Sequence, residues 1–374
     1  TLRVQGHADA DIVARDFREK SVQRRLERLP VDPERPFRFL PAPPTAGMAA
    51  HGEYVAVVAD SEVYVVNYGL KDEEELFRRS FASLQAPVAG LRPLSQPVLG
   101  SATTKEVPEV FLATCEKRVW RLRSDGSKAG TLELSSIPVS RACVVTEQGS
   151  RPVYLAGIET VDGFEVLELA TGQRRFDPRK FKGGASPASL GGAFDGVTFF
   201  VPRANGRMYT VNAKEAQGWD VEMPAGALAP AACLLGSKTV AVAGAAGNVT
   251  VWEAESEQVV YTHDLGEGLA FGLIAAGPGY LAVTEKGKLI MLASREAKTL
   301  WAKDLGRAVK FFPETGDRYV AVLLEDELLL LDAASGDEIW HAKFMSPSAG
   351  LATSGARIYV CTQDARIYRY EASK

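Results

Sequence analysis

Side chains able to do chemistry are sparse and scattered along this 374-residue chain. Four cysteines, Cys115, Cys143, Cys233 and Cys361, stand 28, 90 and 128 residues apart. None belongs to a CxxC pair, the spacing that brings two sulfurs onto one metal ion or into one redox centre. Four histidines, His7, His51, His263 and His341, show neither HxH nor HxxxH spacing. Serines are plentiful, but no Gly-x-Ser-x-Gly elbow lifts one toward a base. Walker and Rossmann fingerprints are absent. Gly183-Gly184 and Gly191-Gly192 lack the strand-to-helix setting in which a glycine loop cradles phosphate, so they read as turns. The acidic run Asp72-Glu73-Glu74-Glu75 reads as a solvated loop.

Composition removes further classes. Lys+Arg is 43 against 47 Asp+Glu, a formal charge of -4, which supplies no basic excess for nucleic acid. With 46% hydrophobic and 24% charged residues the chain is of ordinary globular type. No uninterrupted apolar run approaches the roughly 18 residues of a spanning helix, so direct membrane insertion is not expected. The N-terminus has neither Met nor a basic-then-apolar signal pattern, and the chain is expected to be processed or part of something longer. Four unpaired thiols point to a reducing cytoplasm, with the periplasm as the alternative.

The elements that position these residues form a repeat. Two alternating segments joined by a turn recur eight times, about 40 residues apart. They are YVAVVA/EVYVVNY from Tyr54, EVFLATC/RVWRLRS from Glu109, PVYLAGI/FEVLELA from Pro152 and VTFFVPR/RMYTVNA from Val197. TVAVAGA/NVTVWEA from Thr239, YLAVTEK/KLIMLAS from Tyr280, YVAVLLE/ELLLLDA from Tyr319 and RIYVCTQ/RIYRYEA from Arg357 follow. Period-2 alternation with β-branched and aromatic enrichment marks each pair as a hairpin. Asn205-Gly206, Gly247-Asn248, Lys286-Gly287 and Glu325-Asp326 suit its turn. Small-residue stretches precede the pairs: PTAGM from Pro44, PVAGL from Pro87 and PSAGL from Pro347, with weaker copies from Pro138, Pro187 and Pro230. They read as innermost strands, where neighbouring units crowd. A more polar fourth segment follows each pair. Four strands at this period predict an all-β, eight-bladed β-propeller, seven blades being the alternative count.

Leu330-Leu331-Asp332-Ala333-Ala334-Ser335-Gly336-Asp337-Glu338-Ile339-Trp340 resembles the repeat of quinoprotein-like (PQQ-like) propellers. There a strand ends in Leu-Asp, a turn carries Gly, and the next strand delivers a Trp that docks between blades. Trp301 is similar, while Phe176, Trp219 and Tyr261 hold the docking position elsewhere. Val251-Trp252-Glu253 resembles a worn WD-type signature, the second choice. Quinone enzymes of this fold bind pyrroloquinoline quinone on the axis beside calcium, held by Glu, Asn and Asp. The predicted inner strands here carry Ala, Gly, Ser and Leu, with Arg92, Arg141, Arg307 and Lys310 as their few charges. No cofactor, metal or catalytic residue is therefore expected. Arg141 and Lys310 are candidate contacts for an anion at the channel mouth, against solvated rim charges as the plainer account.

Two domains are expected: an N-terminal helix with a Pro-rich connector over residues 1–35, and the propeller over 36–374. The helix spans residues 9–29, with Ile12, Val13, Phe17, Val22, Leu26 and Leu29 on one stripe. Ile12, Val13, Phe17 and Leu26 are the candidate partner-binding residues, packing on the propeller being the alternative. The last unit ends after its third strand, which leaves an unpaired edge. Phe37–Leu40 is predicted to supply the missing strand and close the ring. These readings converge on a non-catalytic protein-interaction scaffold, a subunit of a larger bacterial assembly. The alternatives are a periplasmic outer-membrane-assembly propeller or a sensor propeller of a multidomain protein.

Overall fold

The computed structural model describes Arg25–Arg28, residues 38–40 and, from residue 43, the strands and some of their turns; from 258 to 373 it is continuous except at 317. Every regular element described is a strand. Among the described residues eight antiparallel sheets follow one another, seven of them taking their strands in chain order and the eighth also receiving two N-terminal strands. Sheet 1 is Pro44–His51, Tyr54–Ala59, Glu62–Asn67 and Glu75–Ser80. Sheet 2 is Val98–Gly100, Glu109–Thr114, Arg118–Leu122 and Lys128–Glu133. Sheet 3 is Cys143–Glu147, Val153–Thr160, Gly163–Glu168 and Arg174–Phe176. Sheet 4 is Ala193–Phe194, Thr198–Pro202, Arg207–Asn212 and Gln217–Glu222. Sheet 5 is Ala232–Leu234, Thr239–Ala243, Asn248–Glu253 and Val259–Asp264. Sheet 6 is Ile274–Ala276, Gly279–Val283, Lys288–Ala293 and Thr299–Asp304. Sheet 7 is Glu314–Thr315, Tyr319–Leu323, Glu327–Asp332 and Glu338–Lys343. Sheet 8 is Ser348–Ser354, Arg357–Thr362 and Arg366–Ser373.

All eight predicted hairpins are present as second and third strands. The small-residue motif does not coincide with every first strand: in sheets 3 and 4 Cys143–Glu147 and Ala193–Phe194 begin after the copies at Pro138 and Pro187, which lie outside the described residues. In sheet 2 the first strand is Val98–Gly100, paired with Glu109–Phe111, and the Pro87 motif lies outside the described residues. Side-chain size marks where chain can crowd, but backbone pairing decides which segment joins the ladder.

At Arg25–Arg28 the chain departs from the predicted helix. Residues 1–24 lie outside the described residues, but Arg25–Arg28 is a strand (β1), and Arg38–Phe39 is a second (β2). Both pair antiparallel with Arg366–Ser373: Arg28 opposite Tyr370, and Arg38 opposite Ile367. An open strand edge satisfies backbone donors that a lone amphipathic turn leaves to water, and here the edge takes the chain. Arg38–Phe39 lies within the predicted Phe37–Leu40 strand; Phe37 itself is outside the described residues.

The chain divides into two compact units. One comprises Thr1–Ala89, Ser124–Gly126 and Val309–Lys374, and so holds sheets 1, 7 and 8; the other, Gly90–Arg123 and Ser127–Ala308, holds sheets 2 to 6. In the first, Trp340 of sheet 7 is fully buried and meets Tyr370 of sheet 8 edge-on, centroids 4.8 Å apart. Leu330, Ile358, Val360 and Tyr368 pack around them. Sheet 8 also packs on sheet 1, through Met48, Val55, Val57, Ala352, Tyr359 and Cys361, with Leu40 of the N-terminal segment in the same core. A Cβ on Gly350 would stand 3.3 Å from Met48 Sδ, so these first strands approach closely, as small residues permit.

In the second unit Tyr261 of sheet 5 reaches sheet 6, its hydroxyl donating to Ala293 O. A one-residue shift in the outer ladder falls at the docking position of sheets 1, 3, 5, 6 and 7. There Phe77, Phe176, Tyr261, Trp301 and Trp340 stand opposite Val65, Val166, Val251, Met291 and Leu330. A bulge of this kind re-aims the side chain beside it. In sheet 2 the docking position is Gly130, opposite Arg121, and a Cβ there would meet nothing within 4 Å.

Burial pushes the Tyr261 phenol up to about 12. The folded state therefore favours the protonated phenol, and its contribution is intact below pH 10 and lost as pH rises toward 12. Between those values wild-type stability should fall more steeply than that of Tyr261→Phe, the excess loss approaching about 2–3 kcal/mol, measured by urea unfolding at stepped pH. Parallel pH curves would rule this out.

Candidate interaction surface

One backbone contact recurs where each fourth strand leaves its sheet. The departing N–H donates to the turn of that sheet's central hairpin: Leu134 to Lys117 O (2.7 Å), Leu265 to Gly247 O (3.1 Å), Leu305 to Gly287 O (3.2 Å) and Phe344 to Asp326 O (2.7 Å). Four turn residues making or matching this contact have left-handed backbone: Lys117, Gly247, Gly287 and Ala365, with φ of 60°, 88°, 85° and 66°. At Gly287 a Cβ would overlap Arg307 O, so only glycine fits that approach. Leu40 makes the same contact, its N–H donating to Ala365 O at 2.7 Å. The N-terminal segment thus ends in sheet 8 as the other fourth strands end in theirs.

These clasps hold the loops leading from one sheet to the next. Between sheets 7 and 8 the loop is pinned from both sides. Phe344 and Ser348 N–H groups donate to Asp326 O and Glu325 O of sheet 7's turn. On the sheet 8 side, Gln363 N–H donates to Pro347 O at 2.8 Å and Asp364 N–H to Ser346 Oγ at 3.2 Å. Phe344 is buried against Tyr368, centroids 5.1 Å apart. Met345, the next residue, is 77% exposed. The pinned backbone keeps this apolar side chain in water instead of folding it onto the core.

Between sheets 2 and 3 the equivalent loop is held by a carboxylate. Glu165 sits one residue before the docking partner Val166, the ladder place of Thr250, Ile290 and Leu329 in other sheets. It is fully buried. Ser135 N–H and Oγ–H donate to its Oε1, the former at 2.7 Å, and Arg174 Nε–H to Oε2 at 3.0 Å. These charge-assisted bonds occupy both carboxylate oxygens, as burial of an ionised acid demands.

Of the sequence-predicted site residues, only Leu26 and Lys310 fall within the described residues. Ile12, Val13, Phe17 and Arg141 lie outside the described residues. Leu26 lies in β1 opposite Ala372, not on a helical stripe. Lys310 is exposed and pairs with Glu325, Nζ to Oε1 3.6 Å, so its charge already faces a carboxylate. That exposed pair is worth under about 1 kcal/mol. Among the described residues no group of three His, Cys, Asp or Glu side chains is gathered for a metal. Cys361 is free and buried, and burial pushes its thiol well above the ordinary range, so it stays protonated. His341 Nδ1 lies 2.8 Å from Glu338 Oε1 on an outer strand.

Sequence reasoning missed Glu165 and Met345. Glutamate in an alternating strand reads as solvent-facing, and only its partners, 30 and 9 residues away, reveal otherwise. Glu165→Leu should cost about 2 kcal/mol by leaving the Ser135 and Arg174 donors without their acceptor. Adding Arg174→Leu should recover most of that loss in urea unfolding. A neutral single substitution would show that the carboxylate does not hold the loop.

Residues 286–374 match the family model described as outer membrane protein assembly factor BamB. No curated protein sequence matches the chain. BamB from Moraxella catarrhalis has a similar structure, with TM-score 0.63 and 14% identity over 89% of this chain and 98% of that one. So has the computationally designed Ika8 protein, with TM-score 0.63 and 15% identity over 90% of this chain and 98% of that one. At these identities the likeness is one of fold. By its fold the chain is a β-propeller, and residues 286–374 of it match the PQQ-like repeat model.

Proposed function

We propose that this chain is a non-catalytic scaffold: a closed ring of eight blades, sheets 1 to 8, that holds another protein against the face bearing the sheet-to-sheet loops. The observation carrying this reading is Met345, an exposed apolar side chain on a backbone pinned by four hydrogen bonds. A rigid anchor loses little conformational freedom on binding, which favours recognition over a mobile loop. Ring closure is supported by sheets 1 and 8, from opposite ends of the chain, sharing one core with Leu40. Deleting residues 1–41 should lower the melting temperature sharply, because it removes β1, β2 and the Leu40 clasp together. An unchanged melting curve would sink the closure.

The match of residues 286–374 favours a more specific reading, in which the partner belongs to outer-membrane protein assembly and the chain works in the periplasm. Cytoplasmic placement rests on the unpaired thiols, and fractionation of the full-length protein separates the two. A photo-reactive amino acid at position 345 should cross-link a protein partner in cells, and one at the turn residue Ser335 on sheet 7's opposite hairpin should not. Equal labelling from both positions, or none from 345, would move the partner off this face.

A further inference from the structure

Two residues at the exit of sheet 7 break a pattern that sheets 5 and 6 share. Leu265, Leu305 and Phe344 make the same clasp in their sheets. The residue before the clasp is Asp264, Asp304 or Lys343, and the residue after it is Gly266, Gly306 or Met345. In sheets 5 and 6 this pair builds the turn. The Asp264 and Asp304 carboxylates accept from the Gly266 and Gly306 N–H groups at 2.9 and 2.8 Å, and both glycines are left-handed, with φ of 74° and 66°. A Cβ on either would meet nothing within 4 Å, so this place in the loop faces open space.

Sheet 7 exchanges both members of the pair and holds its loop by other bonds. Those bonds run to Asp326 O, Glu325 O, Pro347 O and Ser346 Oγ, and none uses the side chain of Lys343 or Met345. The path of the backbone therefore does not require either side chain. Burial alternates along the exit: Lys343 is exposed, Phe344 buried and Met345 exposed. Alternation in extended chain turns the ammonium and the thioether to one side. Charges flanking the loop are matched, Lys310 with Glu325 at 3.6 Å and Arg366 with Asp364 at 2.7 Å. Lys343 is the exception. It stands opposite the buried Glu327 in the ladder register, yet among the described residues no carboxylate pairs with its ammonium.

We propose that Lys343 and Met345 form a two-point docking site for a protein segment that presents an apolar pocket edged by a carboxylate. Methionine is unbranched and polarisable, so it fills a pocket of irregular shape. The ammonium beside it selects the sign of the partner's rim and speeds encounter with it. This inference rests on the scaffold reading and adds the chemistry of the partner.

The test uses the full-length chain in freshly lysed cells and a carbodiimide, which joins an amine to a carboxylate only where the two touch. Lys343 should form an amide with an Asp or Glu of the same partner segment that the photo-reactive amino acid at position 345 labels, both links being read by mass spectrometry of the cross-linked peptides. Lys343→Glu should cut the photo-cross-link at least about fivefold, the worth of one exposed ion pair, and Lys343→Arg should keep it. Met345→Ser, which places there the residue that follows the clasp in sheet 2, should abolish the Lys343 amide and move the melting temperature by less than about 2 °C. A photo-cross-link without the Lys343 amide, or one indifferent to Lys343→Glu, would overturn the two-point site and leave the scaffold reading standing. A larger fall in the melting temperature of Met345→Ser would also overturn it, by making the methionine part of the fold. Absence of any photo-cross-link from position 345 would remove both readings.

Discussion

A strand buried on both faces cannot stand in a sheet by itself. The second strands of sheets 5, 6 and 7, Thr239–Ala243, Gly279–Val283 and Tyr319–Leu323, are buried at every residue rather than at alternate ones. Water must be excluded from both sides of each, so each sheet needs a neighbour on either face. The hydrophobic effect thus acts between sheets more than within them. Sheets 1 and 8, the ends of the chain, meet each other through Met48, Val57, Ala352 and Tyr359.

That requirement dictates what happens to backbone at the rims. Packing side by side presses each departing fourth strand against its own hairpin turn, where Leu134, Leu265, Leu305, Phe344 and Leu40 donate to the same kind of carbonyl. At four of these turns a left-handed residue presents it, readily at Gly247 and Gly287 and at some conformational cost at Lys117 and Ala365, while Asp326 presents it without one. Loops held this way are rigid. A rigid loop can carry an exposed methionine at one junction and a buried carboxylate clamp at another without losing its path. Both are departures from the local rule for their side-chain types, and both depend on the surrounding backbone bonds.

The same physics separates what β2 and β1 contribute to sheet 8. Leu40 is bound by burial and by a hydrogen bond that repeats across the sheets. β1 joins the sheet through its ladder pairing with Tyr370–Ser373. The outer edge of Arg366–Ser373 is thus covered by two short segments with different attachments.

The eight hairpins were legible because alternation and turn residues are local signals, set by the period of the strand and by the conformations a turn allows. The small-residue first strands were legible where Gly350 and Met48 crowd, and misread at Pro87, where the pairing strand is Val98–Gly100. The fate of Arg25–Arg28 was not legible: helical spacing of apolar residues says nothing about an unpaired edge some 345 residues away that competes for the same backbone. Nor was the site. Glu165 is a clamp because Ser135 and Arg174 reach it, and Met345 is exposed because Asp326 and Pro347 hold its loop. The eight hairpins and the docking residues Phe176, Tyr261, Trp301 and Trp340 lie in the sequence, since each follows from neighbours along the chain. Burial of charge and exposure of the anchor belong to tertiary structure, since each depends on groups that only folding brings within hydrogen-bond reach.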